Sequence, residues 1–142
     1  MHIQIEDYII SDNKELLQLD TIKGFLSRSY WGNRRTEEQI RKSIANSMCY
    51  GVYRESKQIG FARVVTDGAT MYWLADVYVD EDFRGRGIGK NLISALTNSD
   101  ELKNLMGVLG TRDAHQLYEQ YGFAADKERM MRRMPPSVNS NR

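Results

Sequence analysis

The sequence lacks the residues from which a disulfide, a structural zinc site or a membrane span is built. Cys49 is the only cysteine, so no internal disulfide can form. Neither a CxxC pair nor a His/Cys cluster indicates a metal site. No apolar run approaches the ~18 residues of a membrane helix, and the first ten residues lack the basic stretch and long apolar core of a signal peptide. We therefore expect a soluble cytoplasmic protein with neither a metal nor a membrane partner.

An excess of charge of one sign is also missing. Lysine and arginine number 20 against 19 aspartates and glutamates, which gives a net charge of +1. Such a balance offers no bulk attraction to nucleic acid or to an anionic membrane, so any anion site must be local. The chain is long enough for one hydrophobic core. We expect a single domain over residues 1–134 and a disordered polar tail over residues 135–142.

Hydrophobic periodicity predicts ten elements in the order β-α-α-β-β-β-α-β-α-β. Their ranges are about 3–10, 13–27, 36–46, 48–54, 58–66, 71–79, 87–97, 105–110, 114–121 and 128–134. A helix between the strands at 71–79 and 105–110 makes those two strands parallel, whereas the hairpins before them are antiparallel. The predicted fold is α/β (α+β), with a mixed, mostly antiparallel twisted sheet, a central parallel pair and helices on both faces.

A glycine-rich loop, RGRGIGK at residues 84–90, precedes the helix predicted at 87–97. It is not a Walker loop, because Arg84 stands where the first glycine is needed, and it is not GxGxxG, because Lys90 replaces the last glycine. Helix N-termini nevertheless attract anions through unpartnered N–H groups and the helix dipole. Arg84, Arg86 and Lys90 would add positive charge. The alternative is a solvated helix start without a ligand.

Two segments together carry a resemblance to a known family. Arg84-x-x-Gly87-x-Gly89, directly after the strand LADVYV, resembles the acetyl-CoA signature of the GNAT superfamily of N-acetyltransferases. AHQLYEQYGF at residues 114–123 is similar to the family's A-x-x-LY-x-x-x-GF segment, and the resemblance extends over about residues 3–134. It implies an acyltransferase that moves an acetyl group from acetyl-CoA to a primary amine by direct transfer in a ternary complex. The alternative is a non-catalytic coenzyme-A-binding sensor or interaction module.

The same resemblance implies where coenzyme A binds. The loop amides would hold its pyrophosphate, and the pantetheine arm would lie along the end of the strand at 75–79 like an added strand. The expected cofactor contacts are Val77, Tyr78, Val79, Arg84, Gly85, Arg86, Gly87, Ile88, Gly89, Lys90, Thr111 and Tyr118. Thr111 departs from the family, which often carries asparagine at that position.

Tyr118 matches the tyrosine that serves the family as general acid. A phenol has an ordinary pKa near ~10, so it is protonated at neutral pH and can donate to a departing thiolate. The alternative is that Tyr118 only packs its helix against the sheet, together with Leu117 and Tyr121.

Asp76 is the second catalytic candidate, because a carboxylate is unexpected in a strand that is apolar on both faces. Strict alternation places it on the same face as Tyr72, Leu74 and Tyr78, although a bulge would change that face. Burial would raise its pKa, which suits a base that accepts the amine's proton, or it could bind the amine. The alternative is a structural ion pair with Arg63.

The acceptor pocket is expected between the first two helices, where Tyr30 and Trp31 form an aromatic pair suited to lining a cleft. The alternative is that they only fasten the helices to the sheet. Asp113 and Gln116 predict a helix capping box. The acceptor is a small-molecule or peptide amine whose class the sequence leaves open. Pairing of C-terminal edge strands between subunits would give a homodimer.

Overall fold

The computed structural model describes residues 1–136, so most of the tail predicted at 135–142 lies outside the described residues. Ten strands and α-helices are present, with 3₁₀ turns at Lys14–Leu16 and Glu81–Phe83. They are β1 (His2–Ile5), β2 (Tyr8–Ser11), α1 (Leu19–Ser27), α2 (Glu37–Ala45), β3 (Met48–Arg54), β4 (Lys57–Thr66), β5 (Met71–Val79), α3 (Ile88–Thr97), β6 (Met106–Leu109) and α4 (His115–Glu119). The predicted mixed α/β class is confirmed.

The six strands form one sheet in the order β1-β2-β3-β4-β5-β6. Each neighbouring pair is antiparallel except β5 and β6, which are parallel as predicted. The pairing of β5 with β6 begins at Met71–Met106 and ends at Leu74–Leu109. The remainder of β5, residues 75–79, therefore extends beyond β6 and leaves a gap in the sheet.

Two predicted strands are corrected by the structure. The single strand expected over residues 3–10 is a hairpin, because Glu6 has a φ of +49° and turns the chain between β1 and β2. The last strand expected around residues 128–134 is absent from the described residues, which are irregular there. Its sequence, ERMMRRM, lacks the alternation that would give a strand one apolar face. As a result, the parallel pair lies at the β6 edge of the sheet.

Helices cover both faces of the sheet, and each face has its own core. α3 turns Ile88, Leu92, Ile93 and Leu96 toward one face, where they pack with strand residues that include Tyr72 and Leu74. α1 and α2 cover the other face around Phe25, Ile40 and Phe61. Val77 and Val79 pack on the same core, so α3 and the loop before it lie against the end of β5. Within the described chain, no helix has the length and apolar character needed to cross a membrane.

A capping box fixes the start of α2. The hydroxyl of Thr36 accepts a hydrogen bond from the N–H of Gln39, and the side chain of Gln39 accepts one from the N–H of Thr36. This capping box satisfies two donors that the first helical turn would otherwise leave free. It fixes where α2 begins and thereby where the loop between α1 and α2 ends.

Candidate active site

The glycine loop reaches α3 through two residues in the left-handed region. Gly85 has a φ of +82° and Gly87, the N-cap of α3, a φ of +78°. A Cβ atom at either position would meet no other atom within 4 Å. The glycines are therefore required by the backbone conformation, and the space beside them is open.

The loop presents a row of unpartnered N–H groups. The N–H of Arg84 donates to the carbonyl of Glu81, and that of Asn91 donates to the carbonyl of Gly87. The N–H groups of the intervening residues, 85–90, have no hydrogen-bond partner within residues 1–136. These donors converge at the positive end of the α3 dipole, which is the geometry of an anion site.

The charged side chains of the loop occupy different positions from one another. Arg84 lies back on the end of β5, where its Nε donates to the carbonyl of Val79 at 2.9 Å and its guanidinium lies 4.9 Å from the ring centroid of Tyr78. Arg86 lies over Phe83 at 5.3 Å and is exposed. Lys90 is also exposed. Arg86 and Lys90 are thus the loop cations that a ligand can reach most easily, whereas Arg84 is hydrogen-bonded to the end of β5.

The predicted cofactor residues of β5 can contribute only main-chain groups. The side chains of Val77 and Val79 pack on the α3 core, and that of Tyr78 packs in the opposite core against Phe25, at 4.9 Å between ring centroids. Ile88 likewise points into the α3 core. The backbone of residues 75–79 borders the gap left by β6, where an extended ligand can lie alongside it.

Thr111, two residues after β6, stabilises the turn that leads into α4. Its hydroxyl accepts a hydrogen bond from the N–H of Ala114 at 3.0 Å. The capping box predicted for Asp113 and Gln116 is wrong, because α4 begins at His115 and its N-cap is Ala114, which places Asp113 one residue too early. Thr111, which departs from the family's asparagine, therefore stabilises the turn before α4.

Tyr118 lies half-buried in α4 and packs edge-on against Phe123, with 6.0 Å between ring centroids. Burial, together with the neighbouring Tyr30 and Asp113, raises the pKa of Tyr118 to about 12. The phenol is therefore protonated throughout the neutral range. It both packs on the α3 core and retains the proton that an acid needs.

The loop between α1 and α2 meets the loop after β6. The hydroxyl of Tyr30 accepts a hydrogen bond from the N–H of Arg112 at 3.0 Å, and the guanidinium of Arg112 lies 3.9 Å from the Tyr30 ring centroid. Trp31 meets Tyr30 edge-on at 5.0 Å and Tyr78 at 6.3 Å. The predicted aromatic pair thus packs on the sheet through Tyr78 and holds the loop between α1 and α2 against the loop after β6. Sequence reasoning missed Arg112, whose only signal was its position next to Thr111.

Asp76 occupies a bulge in β5. Its φ is +56°, and the register with β4 shifts between Phe61 and Arg63. Tyr72 belongs to the α3 core but Tyr78 to the opposite core, so the prediction of one shared face is wrong. An extra residue in a strand reverses the side-chain alternation beyond it, which is the physical reason.

The Asp76 side chain is 1% exposed and is held by two arginines. Its Oδ2 accepts hydrogen bonds from Arg35 Nη1 at 2.6 Å and Arg63 Nε at 2.8 Å. Burial acts to raise the pKa of Asp76, but the hydrogen bonds and charges of the two arginines outweigh it and hold the pKa below its ordinary value. The expected raised pKa is wrong. The ion pair with Arg63 is present, whereas Arg35 was missed by sequence reasoning.

The other oxygen of the Asp76 carboxylate, Oδ1, takes no part in these ion pairs. Asp76 Oδ1 is buried and has no hydrogen-bond partner among residues 1–136, and the same is true of Trp31 Nε1. Buried polar atoms normally find partners. Asp76 therefore uses only one of its two carboxylate oxygens in the ion pairs with Arg35 and Arg63. No cluster of three or more potential metal-ligating acids, histidines or cysteines is found in the described part of the chain.

Comparisons with known proteins agree on one family. Residues 45–125, more than half of the chain, match the family model described as an acetyltransferase (GNAT) domain. A Gibberella zeae protein named as an acetyltransferase is 28% identical over 113 residues, covering 66% of this chain and 64% of the relative. The chain thus matches just under two thirds of that relative's length.

Solved structures extend the likeness to the whole described fold. A Xanthomonas campestris structure described as a GNAT-family acetyltransferase is 33% identical, covers 96% of this chain and 99% of that one, and has a TM-score of 0.88. An acetyltransferase structure from Clostridium acetobutylicum that contains acetyl-CoA shares the fold at 16% identity, with a TM-score of 0.60 over 89% of this chain and 94% of that one. Because the family model matches more than half of the sequence and a solved member is alike over almost the full length, this chain belongs to the GNAT superfamily of N-acetyltransferases.

Proposed function

We propose that this protein is an acetyl-CoA-dependent N-acetyltransferase that acts on a primary amine by direct transfer in a ternary complex. The observation that carries the proposal is the row of unpartnered N–H groups at residues 85–90, beside the unpaired end of β5. The Clostridium acetobutylicum structure with acetyl-CoA supports the choice of cofactor.

The residues present fit coenzyme A. The amides of residues 85–90 would hold its pyrophosphate, with Arg86 and Lys90 adding charge from the exposed side of the loop. The main chain of residues 75–79 would pair with the amides of the pantetheine arm. Bound acetyl-CoA would supply the acetyl group as a reactive thioester. A main-chain N–H near residues 77–79 would polarise its carbonyl, so that no side chain is needed for this task.

Tyr118 is the proposed general acid. Its phenol stays protonated because burial raises its pKa, and it would donate that proton to the departing thiolate sulfur. In this reaction the amine nitrogen bonds to the acetyl carbon while the carbon–sulfur bond breaks and the sulfur takes the proton. The phenol is then restored from solvent.

Asp76 is proposed to act on the acceptor side. A carboxylate held ionised by two arginines is a weak base, so we assign it to binding and orienting the acceptor, and water takes the amine's proton. Its buried side chain would act there through Arg35, which it holds by a hydrogen bond to Oδ2. Tyr30 and Trp31 line the same side of the cleft.

Calorimetric titration with acetyl-CoA, followed by a thiol-release assay across a panel of amines, tests this function. The proposal predicts saturable binding and amine-dependent release of the coenzyme thiol. Binding without release on any amine would favour the coenzyme-A sensor, for which the departure at Thr111 is the supporting observation. Absence of binding would contradict both functions.

A further inference from the structure

The ion pairs around Asp76 contain more positive than negative charge. Asp76 is the single carboxylate between Arg35 and Arg63, so one guanidinium charge is not balanced. The Arg63 side chain is 13% exposed and that of Asp76 1%. An unbalanced charge in such a buried setting is costly unless an anion joins it.

Arg35 is the member of this cluster with binding capacity to spare. A guanidinium has five N–H donors, and in the described chain Arg35 uses one, to Asp76. Arg63 uses two, to Asp76 and to Ser47 Oγ. The Arg35 side chain is also the more exposed, at 24%. It therefore faces solvent with free donors while Asp76 holds its other side.

The position of the cluster places these donors beside the proposed reaction gap. Asp76 lies two residues beyond Leu74, where pairing with β6 ends. Arg112 is stacked on Tyr30, which belongs to the same loop between α1 and α2 as Arg35. Since the whole chain has a net charge of only +1, this concentration of arginine is a local feature.

A second acid near the cleft repeats the arrangement. Glu81 accepts a hydrogen bond from Arg28 Nε at 3.1 Å and lies 3.6 Å from Arg84 Nη2. One carboxylate again stands between two guanidiniums. A polycationic acceptor would meet repulsion on both sides of Tyr78, whereas an anionic group would be attracted.

We propose that the acceptor carries an anionic group, a carboxylate or a phosphate ester, close to its amine, and that Arg35 binds that group. The inference rests on the proposed function and selects among its open acceptor classes. The planar guanidinium fork matches both anions and gives directional, charge-assisted hydrogen bonds. Polyamines, aminoglycosides and lysine-rich segments are then poor acceptors.

Matched amine pairs test the inference directly. Each pair differs by the anion alone: phenylalanine with phenethylamine, lysine with cadaverine, and phosphoethanolamine with ethanolamine. We expect the anionic member to have the higher kcat/KM by about tenfold or more, the usual scale of a charge-assisted hydrogen bond. The first two pairs report on carboxylate and the third on phosphate. An equal or lower kcat/KM for the anionic member of every pair would overturn the inference.

Arg35 variants identify the residue responsible. Arg35→Gln should remove the preference by lowering kcat/KM for the anionic members only, and Arg35→Lys, which keeps the charge and the fold's ion pair, should retain part of it. Arg41→Gln is the control, because Arg41 lies on the exposed side of α2 in a pair with Glu37. A preference that survives in both Arg35 variants would contradict the assignment.

A binding readout separates this inference from the proposed function. The same amines are titrated calorimetrically into the protein with coenzyme A present. Arg35-dependent binding of anionic amines without thiol release on any of them would support the anion site and refute the transferase. Thiol release without such binding preference would support the transferase and refute the anion site.

Discussion

The local environments of Tyr118 and Asp76, the two proposed site residues, shift their pKa values in opposite directions. Burial keeps Tyr118 neutral by raising its pKa to about 12, whereas two arginines keep the buried Asp76 ionised. The sequence pattern identified both residues but predicted the pKa of Asp76 in the wrong direction. Arg35 is 41 residues away in the chain, and no local pattern connects an arginine in a loop with an acid in a strand.

Tyr118→Phe should lower kcat by about 100-fold or more, the usual contribution of a general acid, while the calorimetric affinity for coenzyme A stays unchanged. Wild-type kcat should show no loss between pH 7 and pH 10, since the pKa of Tyr118 is about 12. Tyr121→Phe, which alters a neighbouring core tyrosine, is the control and should leave kcat unchanged. Equal kcat in the wild type and in Tyr118→Phe would remove Tyr118 from the mechanism.

Asp76→Asn should destabilise the fold by about 3 kcal/mol, because it leaves two partly buried guanidiniums without their counter-charge. The folded-state pKa of Asp76 is lowered, so its contribution is present above the ordinary pKa of ~3.9 and is lost as the pH falls through the lower folded value. Urea unfolding of both proteins at pH 7 and pH 3 measures this. Asp7→Asn, which removes an exposed pair with Arg54, should have little effect. An unchanged unfolding midpoint in Asp76→Asn would refute the structural importance of the cluster.

At the scale of elements, the strand–loop–helix unit from β5 to α3 carries the proposed cofactor site. Its sequence predicted the two glycine turns and the parallel pairing, because glycine positions and helical periodicity are local signals. The bulge at Asp76 was considered but not located, since it depends on register with β4. The failed capping box at Asp113 has a similar cause. α4 begins one residue later than predicted, so its N-cap is Ala114, and Thr111 bonds to Ala114 in the turn before the helix.

Gly87→Glu should abolish coenzyme A binding, because it places bulk and negative charge beside the unpartnered amides. Gly68→Glu is a matched control. Gly68 has a φ of +76° and open space like Gly87, but it lies in the turn between β4 and β5. Both variants should lose similar stability, about 1–2 kcal/mol for the left-handed backbone. Calorimetry that finds coenzyme A bound equally by both would place the pyrophosphate elsewhere.

Gly107→Ala should destabilise the fold by about 1–3 kcal/mol through overpacking. Its Cβ would lie 2.5 Å from Cζ of Tyr72, the residue paired with Gly107 across the parallel strands. Gly110→Ala, whose Cβ would meet Trp73 at an ordinary 3.6 Å, should be nearly neutral. Thermal unfolding of both variants measures the difference. Equal melting temperatures would contradict the close packing of Tyr72 over β6.

At the scale of the whole molecule, the architecture followed from the sequence because hydrophobic residues recur at helical or strand spacing along most of the chain. The errors lie at the two ends. The hairpin of β1 and β2 was hidden by a continuous apolar pattern interrupted only at Glu6 and Asp7. The strand expected at 128–134 is wrong because its methionines and charged residues do not alternate to give one apolar face. Arg35 and Arg112 contact residues that are far away in the sequence, so only the folded structure identifies them.

The central claim is that the amides before α3 bind the pyrophosphate of coenzyme A. Selective ¹⁵N-glycine labelling gives one backbone signal for each of the 11 glycines, and titration with coenzyme A follows them individually. The account predicts that the signals of Gly85, Gly87 and Gly89 shift strongly and saturate together, while that of Gly68 is unchanged. Saturable binding that leaves those three signals in place would contradict it.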